Sequence, residues 1–314
     1  MDINEQILVY PLSLRLSFSC QYLVGKMVIS FDRWVGKVAV VTGASSGIGA
    51  AISEQLVEKE LYACICSLCI HTSLTIPDNA PELAYTEYYA IRLRESRIVA
   101  GLARRKDRLE DLAKKLSGKK GKFFPVKTDI SKEEDIVNAF KWIKENLGPV
   151  HILVNNAGIF KTESLSEGNT KTWEDILRVN VLGLCIATRE AIKDMKANSV
   201  DGHIVHINSI AGHRIPSGLH GLNMYPASKY AVRALAETLR LELNSLKSKI
   251  KITNVSPGLV DTEIVPDQLR NDKFYEEMKI IEPEQIADGI IYALSTPPHV
   301  QIQQLTISPV LDFV

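Results

Sequence analysis

Lys37-Val38-Ala39-Val40-Val41-Thr42-Gly43-Ala44-Ser45-Ser46-Gly47-Ile48-Gly49 reads as three consecutive pieces of structure. Residues 37–42 are an apolar, β-branched run, the pattern of a strand buried on both faces. Residues 43–49 form a glycine-rich turn. Residues 50–59 then take up helical periodicity, with Ile52 and Leu56 on one face and charged positions between them. Glycines at such a strand–turn–helix junction let the backbone turn sharply and approach a pyrophosphate closely. The helix start supplies N–H groups and the positive end of its dipole to the phosphates. Gly43, Ser45, Ser46, Gly47, Ile48 and Gly49 are therefore candidate cofactor-binding residues, spaced T-G-x-x-x-G-x-G.

The same alternation continues along the chain. Apolar strand-like runs fall at 98–102, 123–126, 151–154, 203–208, 251–255 and 304–307. Helical patterns fall between them at 107–116, 131–146, 172–198, 225–246 and 283–294, with Ser131 expected to cap the second of these. Strands alternating with helices imply an α/β fold, a single doubly wound parallel sheet of Rossmann type with helices on both faces. The organisation expected is an N-terminal extension over residues 1–32, poorly ordered, and one domain over 33–314, with an internal start at Met27 suiting it better. An insertion at 61–97 interrupts a connection that normally takes a few residues. It carries Cys64, Cys66, Cys69 and His71, whose spacing is too cramped for a usual zinc finger, so no metal site is expected.

Composition excludes several classes of function. Lys+Arg and Asp+Glu are both 37, so no basic surplus points to nucleic acid. Five cysteines in 314 residues do not make a disulfide scaffold and suit a reducing, cytoplasmic setting. The apolar stretch 7–24 contains Pro11 and Arg15 and fits neither a signal peptide nor a membrane span.

Three further motifs follow the glycine loop in order. They are Asn155-Asn156-Ala157-Gly158 after a strand, Tyr225-Pro226-Ala227-Ser228-Lys229 on a helix, and Pro257-Gly258 after a strand. With the glycine loop they resemble the short-chain dehydrogenase/reductase family over nearly all of the chain outside the extension and insertion. Tyr225 and Lys229 are four apart and share a helix face. A tyrosine titrates near 10, too high for proton transfer at neutral pH, and a neighbouring ammonium favours the phenolate. Ser209 ends a strand at the edge where open α/β sheets bind ligands, so its hydroxyl can polarise a substrate carbonyl. The resemblance completes the catalytic set Asn180, Ser209, Tyr225 and Lys229, with Asn180 anchoring a water in a proton relay and Lys229 bonding the nicotinamide ribose.

The resemblance also implies further cofactor contacts. Asp129 and Ile130 lie at the adenine, Asn155, Ala157 and Gly158 along the cofactor, Pro257 and Gly258 beside it, and Val260 and Thr262 at the nicotinamide carboxamide. An NAD site places a carboxylate at the end of the second strand. Here that strand runs instead into Arg104 and Arg105, whose guanidinium groups suit a 2′-phosphate, so the expected cofactor is NADP(H).

Ser209 and Tyr225 are sixteen positions apart, separated by a segment that includes His213, Arg214 and His220. The histidines read as loop residues. With residues 263–279 this segment is expected to wall a site for a lipophilic alcohol or carbonyl compound, such as an isoprenoid alcohol or a steroid. The two long helices carry more apolar positions than one sheet-facing stripe needs, including Leu182, Leu184, Ile186, Leu235, Leu239 and Leu241, and a homo-oligomer is expected. Two other readings stay open from sequence: a nucleotide-binding scaffold or sensor without turnover, and an isoform inactivated by the insertion.

Overall fold

A computed structural model describes residues 29–58, 97–215, 221–265, 270 and 280–310. Among these, seven parallel strands form one sheet in the order β3-β2-β1-β4-β5-β6-β7. The strands are β1 Val38–Thr42, β2 Ile98–Ala103, β3 Lys122–Lys127, β4 Val150–Asn155, β5 His203–Ile207, β6 Lys251–Pro257 and β7 Gln304–Ile307. The order reverses at β1, leaving β1 and β4 side by side at the switch point where such sheets bind ligands.

Central strands β1, β5 and β6 are buried along their whole length, as a sheet covered on both faces requires. On one face lie α1 Gly47–Glu58, α2 Lys106–Lys115 and α7 Pro283–Ser295. Their core includes Ile52, Leu56, Leu109 and Ile290. On the other face lie α3 Glu133–Asn146, α5 Leu184–Ala197 and α6 Tyr225–Ser245, with Ile136, Ile143, Met195 and Leu243 inside. Each fully buried side chain of this size stabilises the fold by about 1.5–3 kcal/mol.

The structure departs from the sequence reading in three places. The helix expected over 172–198 is α4 Thr170–Leu177, a π-helical turn Arg178–Gly183, and then α5. Ser131 does not cap α3. Its N–H and hydroxyl donate to Asp129 Oδ1, at 3.0 and 2.7 Å, and the cap position falls to Lys132. The packed body also reaches back before Arg33, because Phe31 is buried and Ser30 N donates to Ser295 O at 2.9 Å. Trp34 Nε1 donates to Leu294 O at 2.8 Å, which fixes this first turn against the end of α7. The cysteine cluster of the insertion, the apolar stretch 7–24, Met27 and His220 lie outside the described residues. No helix among the described residues is long and apolar enough to cross a membrane.

Candidate active site

The site is built at the carboxyl end of the sheet, from the loop after β1 outward. Gly43 has φ +68°, and a Cβ there would meet Ala157 Cα at 2.9 Å. Only glycine combines that backbone with that closeness. Thr42 and Asn156 tie the loop to the end of β4. Thr42 Oγ1 accepts from the N–H groups of Asn156 and Ala157, both at 3.0 Å. Asn156 Nδ2 donates back to the carbonyls of Thr42 and Gly43, at 3.0 and 3.2 Å. The second asparagine of the N-N-A-G run thus faces the loop. The first, Asn155, turns inward to Thr188 Oγ1 and His206 Nδ1, at 2.8 and 3.1 Å. The side chain of Asn155 is thus spent inside the fold, and the sequence motif alone does not separate these two orientations.

The two arginines after β2 part company. Arg105 swings to the glycine loop, where Nη2 donates to Ser46 Oγ at 2.8 Å and to Ser45 Oγ at 3.1 Å. Arg104 lines a neighbouring cleft of about 520 Å³ with Asp129, Lys132 and Trp142. Burial works to raise the Asp129 carboxyl, but the Ser131 hydrogen bonds, Arg104 and Lys132 bring it below its usual value. Ile130 follows Asp129, and its carbonyl packs against Gly183 too closely to admit a Cβ there. Ser45, Ser46, Arg105 and the first turn of α1 form a donor set suited to a phosphorylated dinucleotide. The segment after Pro257 and Gly258 closes the other side. Val260 is buried, and Thr262 Cγ2 would lie 2.8 Å from a Cβ on Gly47.

The four catalytic candidates converge beside this cradle. Ser209 follows β5 and hydrogen-bonds the Tyr225 hydroxyl at the start of α6. Phe160 packs edge-on against the Tyr225 ring, with centroids 5.1 Å apart. Lys229 Nζ donates to Ile207 O at 2.9 Å and lies 5.6 Å from the Tyr225 ring centroid. A Cβ on Gly158 would stand 3.5 Å from Asn180 Oδ1 and 3.9 Å from Lys229 Nζ, so these two groups flank one small space. The π-helical turn explains how Asn180 reaches it. Within that turn Asn180 Oδ1 accepts from Ile159 N at 2.8 Å, and Nδ2 donates to Ile159 O and Ser228 Oγ at 3.0 and 3.1 Å. A buried polar side chain held this fully keeps its orientation without water.

Burial dominates the electrostatics. It pushes Tyr225 up to about 12, against the opposing pull of the Ser209 hydrogen bond. It pushes Lys229 down to about 8. The downward shift expected for Tyr225 from a neighbouring ammonium is therefore reversed in the protein alone. A neutral phenol beside a serine hydroxyl can donate a proton to a developing alkoxide, and a lysine near 8 can take up or release the compensating charge. His213 stays a loop residue with a structural bond, its Nε2 lying 2.9 Å from Ser256 Oγ. Among the described residues no cluster of metal-ligating side chains appears.

The chain is similar to known proteins over most of its length. The farnesol dehydrogenase of Aedes aegypti is 42% identical over 281 residues, covering 89% of this chain and 98% of that protein. Dehydrogenase/reductase SDR family member 11 of Homo sapiens is 38% identical over 286 residues, covering 88% and 96%. A short-chain dehydrogenase/reductase from Serratia marcescens superposes with a TM-score of 0.67 at 27% identity, covering 88% of this chain and 98% of that one. An alcohol dehydrogenase from Thermococcus sibiricus, solved with 5-hydroxy-NADP, shares the fold at 24% identity and a TM-score of 0.67, covering 88% and 97%. The short chain dehydrogenase family model matches residues 88–273, more than half of the chain, and with these relatives it makes the protein a member of the short-chain dehydrogenase/reductase family.

Proposed function

We propose that this oxidoreductase interconverts a lipophilic alcohol and its ketone or aldehyde, using NADP(H), with Tyr225 as the proton-transferring group. The observation that carries the reading is the grouping of Ser209, just past the carboxyl end of β5, with Tyr225 and with Lys229, whose Nζ lies 5.6 Å from the Tyr225 ring, the glycine loop standing alongside. The bound dinucleotide supplies the hydride acceptor or donor. Ser209 orients the substrate oxygen, and Tyr225 exchanges a proton with it. Lys229 sits where it can hold the ribose hydroxyls and set the charge behind Tyr225, and Asn180 fixes the space next to Lys229. NADP(H) rests on the arginines after β2 and on Arg105 reaching Ser45 and Ser46.

The substrate class rests on the likeness to the Aedes aegypti farnesol dehydrogenase and on exposed apolar side chains in the two segments expected to wall the site, Ile215 and Ile264. An isoprenoid alcohol fits this reading best. A cytoplasmic setting follows from the cysteine usage already noted. Replacing Tyr225 with Phe keeps the ring and removes the titrating hydroxyl. NADPH-dependent turnover should fall at least ~10²-fold while NADPH still binds, and retention within a few-fold would show that another group moves the proton.

We infer in addition that two copies pair through α5 and α6. Leu182 and Leu241 are 52% and 54% exposed, and between the helices runs a groove of about 370 Å³ bordered by Leu184, Ile192, Leu235 and Leu239. Light scattering that returned only a monomer mass at micromolar concentration would count against it.

A further inference from the structure

The segment after β6 brings a carboxylate back to the arginines at the end of β2. Glu263 Oε2 accepts from Arg105 Nη1 at 2.7 Å, and Oε1 accepts from Arg108 Nη1 on α2. Arg105 at the same time donates to both loop hydroxyls, Ser45 Oγ and Ser46 Oγ. Two guanidinium groups and two hydroxyls thus meet in one place, and the anion among them belongs to the protein's own chain. To a guanidinium fork a carboxylate and a phosphate monoester present the same feature, two charged oxygens in one plane. Arg105 and Arg108 hold the Glu263 carboxyl down to about 2, so it is charged at every working pH.

We propose that Glu263 is an internal stand-in for the cofactor phosphate: it occupies Arg105 and Arg108 in the free protein and must yield them when a 2′-phosphate arrives. The inference rests on the NADP reading above and adds Arg108 and Glu263 to the residues that set cofactor choice. A dinucleotide with a bare 2′-hydroxyl brings no charge to displace the carboxylate, so it leaves the Glu263 contacts intact. If Glu263 instead only oriented Arg105 for the phosphate, its removal would weaken phosphate binding; competition predicts the opposite sign.

The test uses the full chain and two small probes, 2′,5′-ADP and 5′-AMP, titrated calorimetrically. Glu263→Gln keeps the side chain's shape and removes its charge. It should tighten 2′,5′-ADP by about two- to tenfold, the scale of releasing two half-exposed ion pairs, and leave 5′-AMP within about twofold. Melting temperatures of both chains without ligand control for folding. A preference of the wild type for 2′,5′-ADP, unchanged or weakened in Glu263→Gln, overturns the competition while leaving NADP preference standing. Equal binding of both probes by the wild type, with a preference appearing in Glu263→Gln, overturns NADP preference and supports the competition. No discrimination in either chain overturns both.

Discussion

The two ends of the sheet each bury a lysine, and the two lysines are served differently. At the carboxyl end Lys229 has one hydrogen bond among the described residues, to Ile207 O, and an aromatic ring for a neighbour. At the amino end Lys251 is caged by four oxygens, from the carbonyls of Thr296, Pro297 and Val300 and the hydroxyl of Thr296, at 2.8–3.4 Å. Burial lowers both to about 8, with Arg33 lowering Lys251 further. The same shift therefore accompanies opposite degrees of satisfaction. A buried ammonium with donors to spare is equipped to bind something else, whereas one with its donors spent holds the chain to itself. At the amino end, the first turn at Trp34 and the end of α7 complete a closed structural corner. At the carboxyl end, glycines, hydroxyls and arginines converge on a cradle for a ligand.

Exchanging each lysine for methionine tests this contrast. Lys229→Met should cut turnover at least ~10²-fold, because Tyr225 loses the charge behind it, while the melting temperature changes little. Lys251→Met should leave specific activity intact and orphan several oxygens, costing about 2–3 kcal/mol, or roughly 3–5 °C in melting temperature. Loss of activity in the second variant at temperatures where it is folded would erase the distinction between the ends.

A smaller effect separates the two arginines. Arg105→Ala should cost about 1.5 kcal/mol in kcat/KM with NADPH and little with NADH. Arg104→Ala, which faces the Asp129 cleft, should cost less with NADPH. An equal loss from both would return the pair to the undivided role that the sequence suggests.

A separate signal is in stability against pH. Both lysines have folded values below the ordinary 10.5, so between about 8 and 10.5 the unfolded chain binds more protons than the folded one. Stability should therefore rise with pH through that window and flatten in the double methionine variant. Tyr225 acts with the opposite sign, since its folded value near 12 makes the folded form retain a proton as pH passes 10. Urea midpoints at pH 8, 9 and 10 read the slope. A slope unchanged in the double variant would mean that other groups titrate there.

The fold was legible because strands buried on both faces leave unbroken runs, as at Val38–Thr42, and because the glycine loop identifies which strand comes first. The four candidate residues could be named from sequence because Tyr225 and Lys229 are local and the rest follow by resemblance. What stayed hidden depends on contacts between distant stretches. A π-helical turn adds no residue type to a helix, so the turn at Asn180 leaves no mark in the pattern; the backbone shows it, and there Asn180 bonds Ile159 and Ser228. Ser131 looked like a helix cap, yet Asp129 claims it first. Two adjacent arginines look alike on paper, and the opposite directions they take are set by Asp129 and by Glu263, far along the chain.

Residues 57 and 97, the two sides of the interval that interrupts the first β–α–β unit, are held by one strand entrance. Gly121 N donates to Val57 O at 3.1 Å, and the next residue, Lys122, donates from N to Arg97 O at 2.7 Å. Lys119 adds an ion pair to Glu58 at 2.9 Å. Two hydrogen bonds and an ion pair thus join these two points besides the chain between them. One polypeptide ending after α1 and a second beginning before β2 would find each other across the β1–β2 ladder and the entrance to β3. The glycine loop and the Tyr225–Lys229 pair would then sit on separate molecules. Activity would report their reunion, which makes this junction a natural place to cut the enzyme into a two-part sensor.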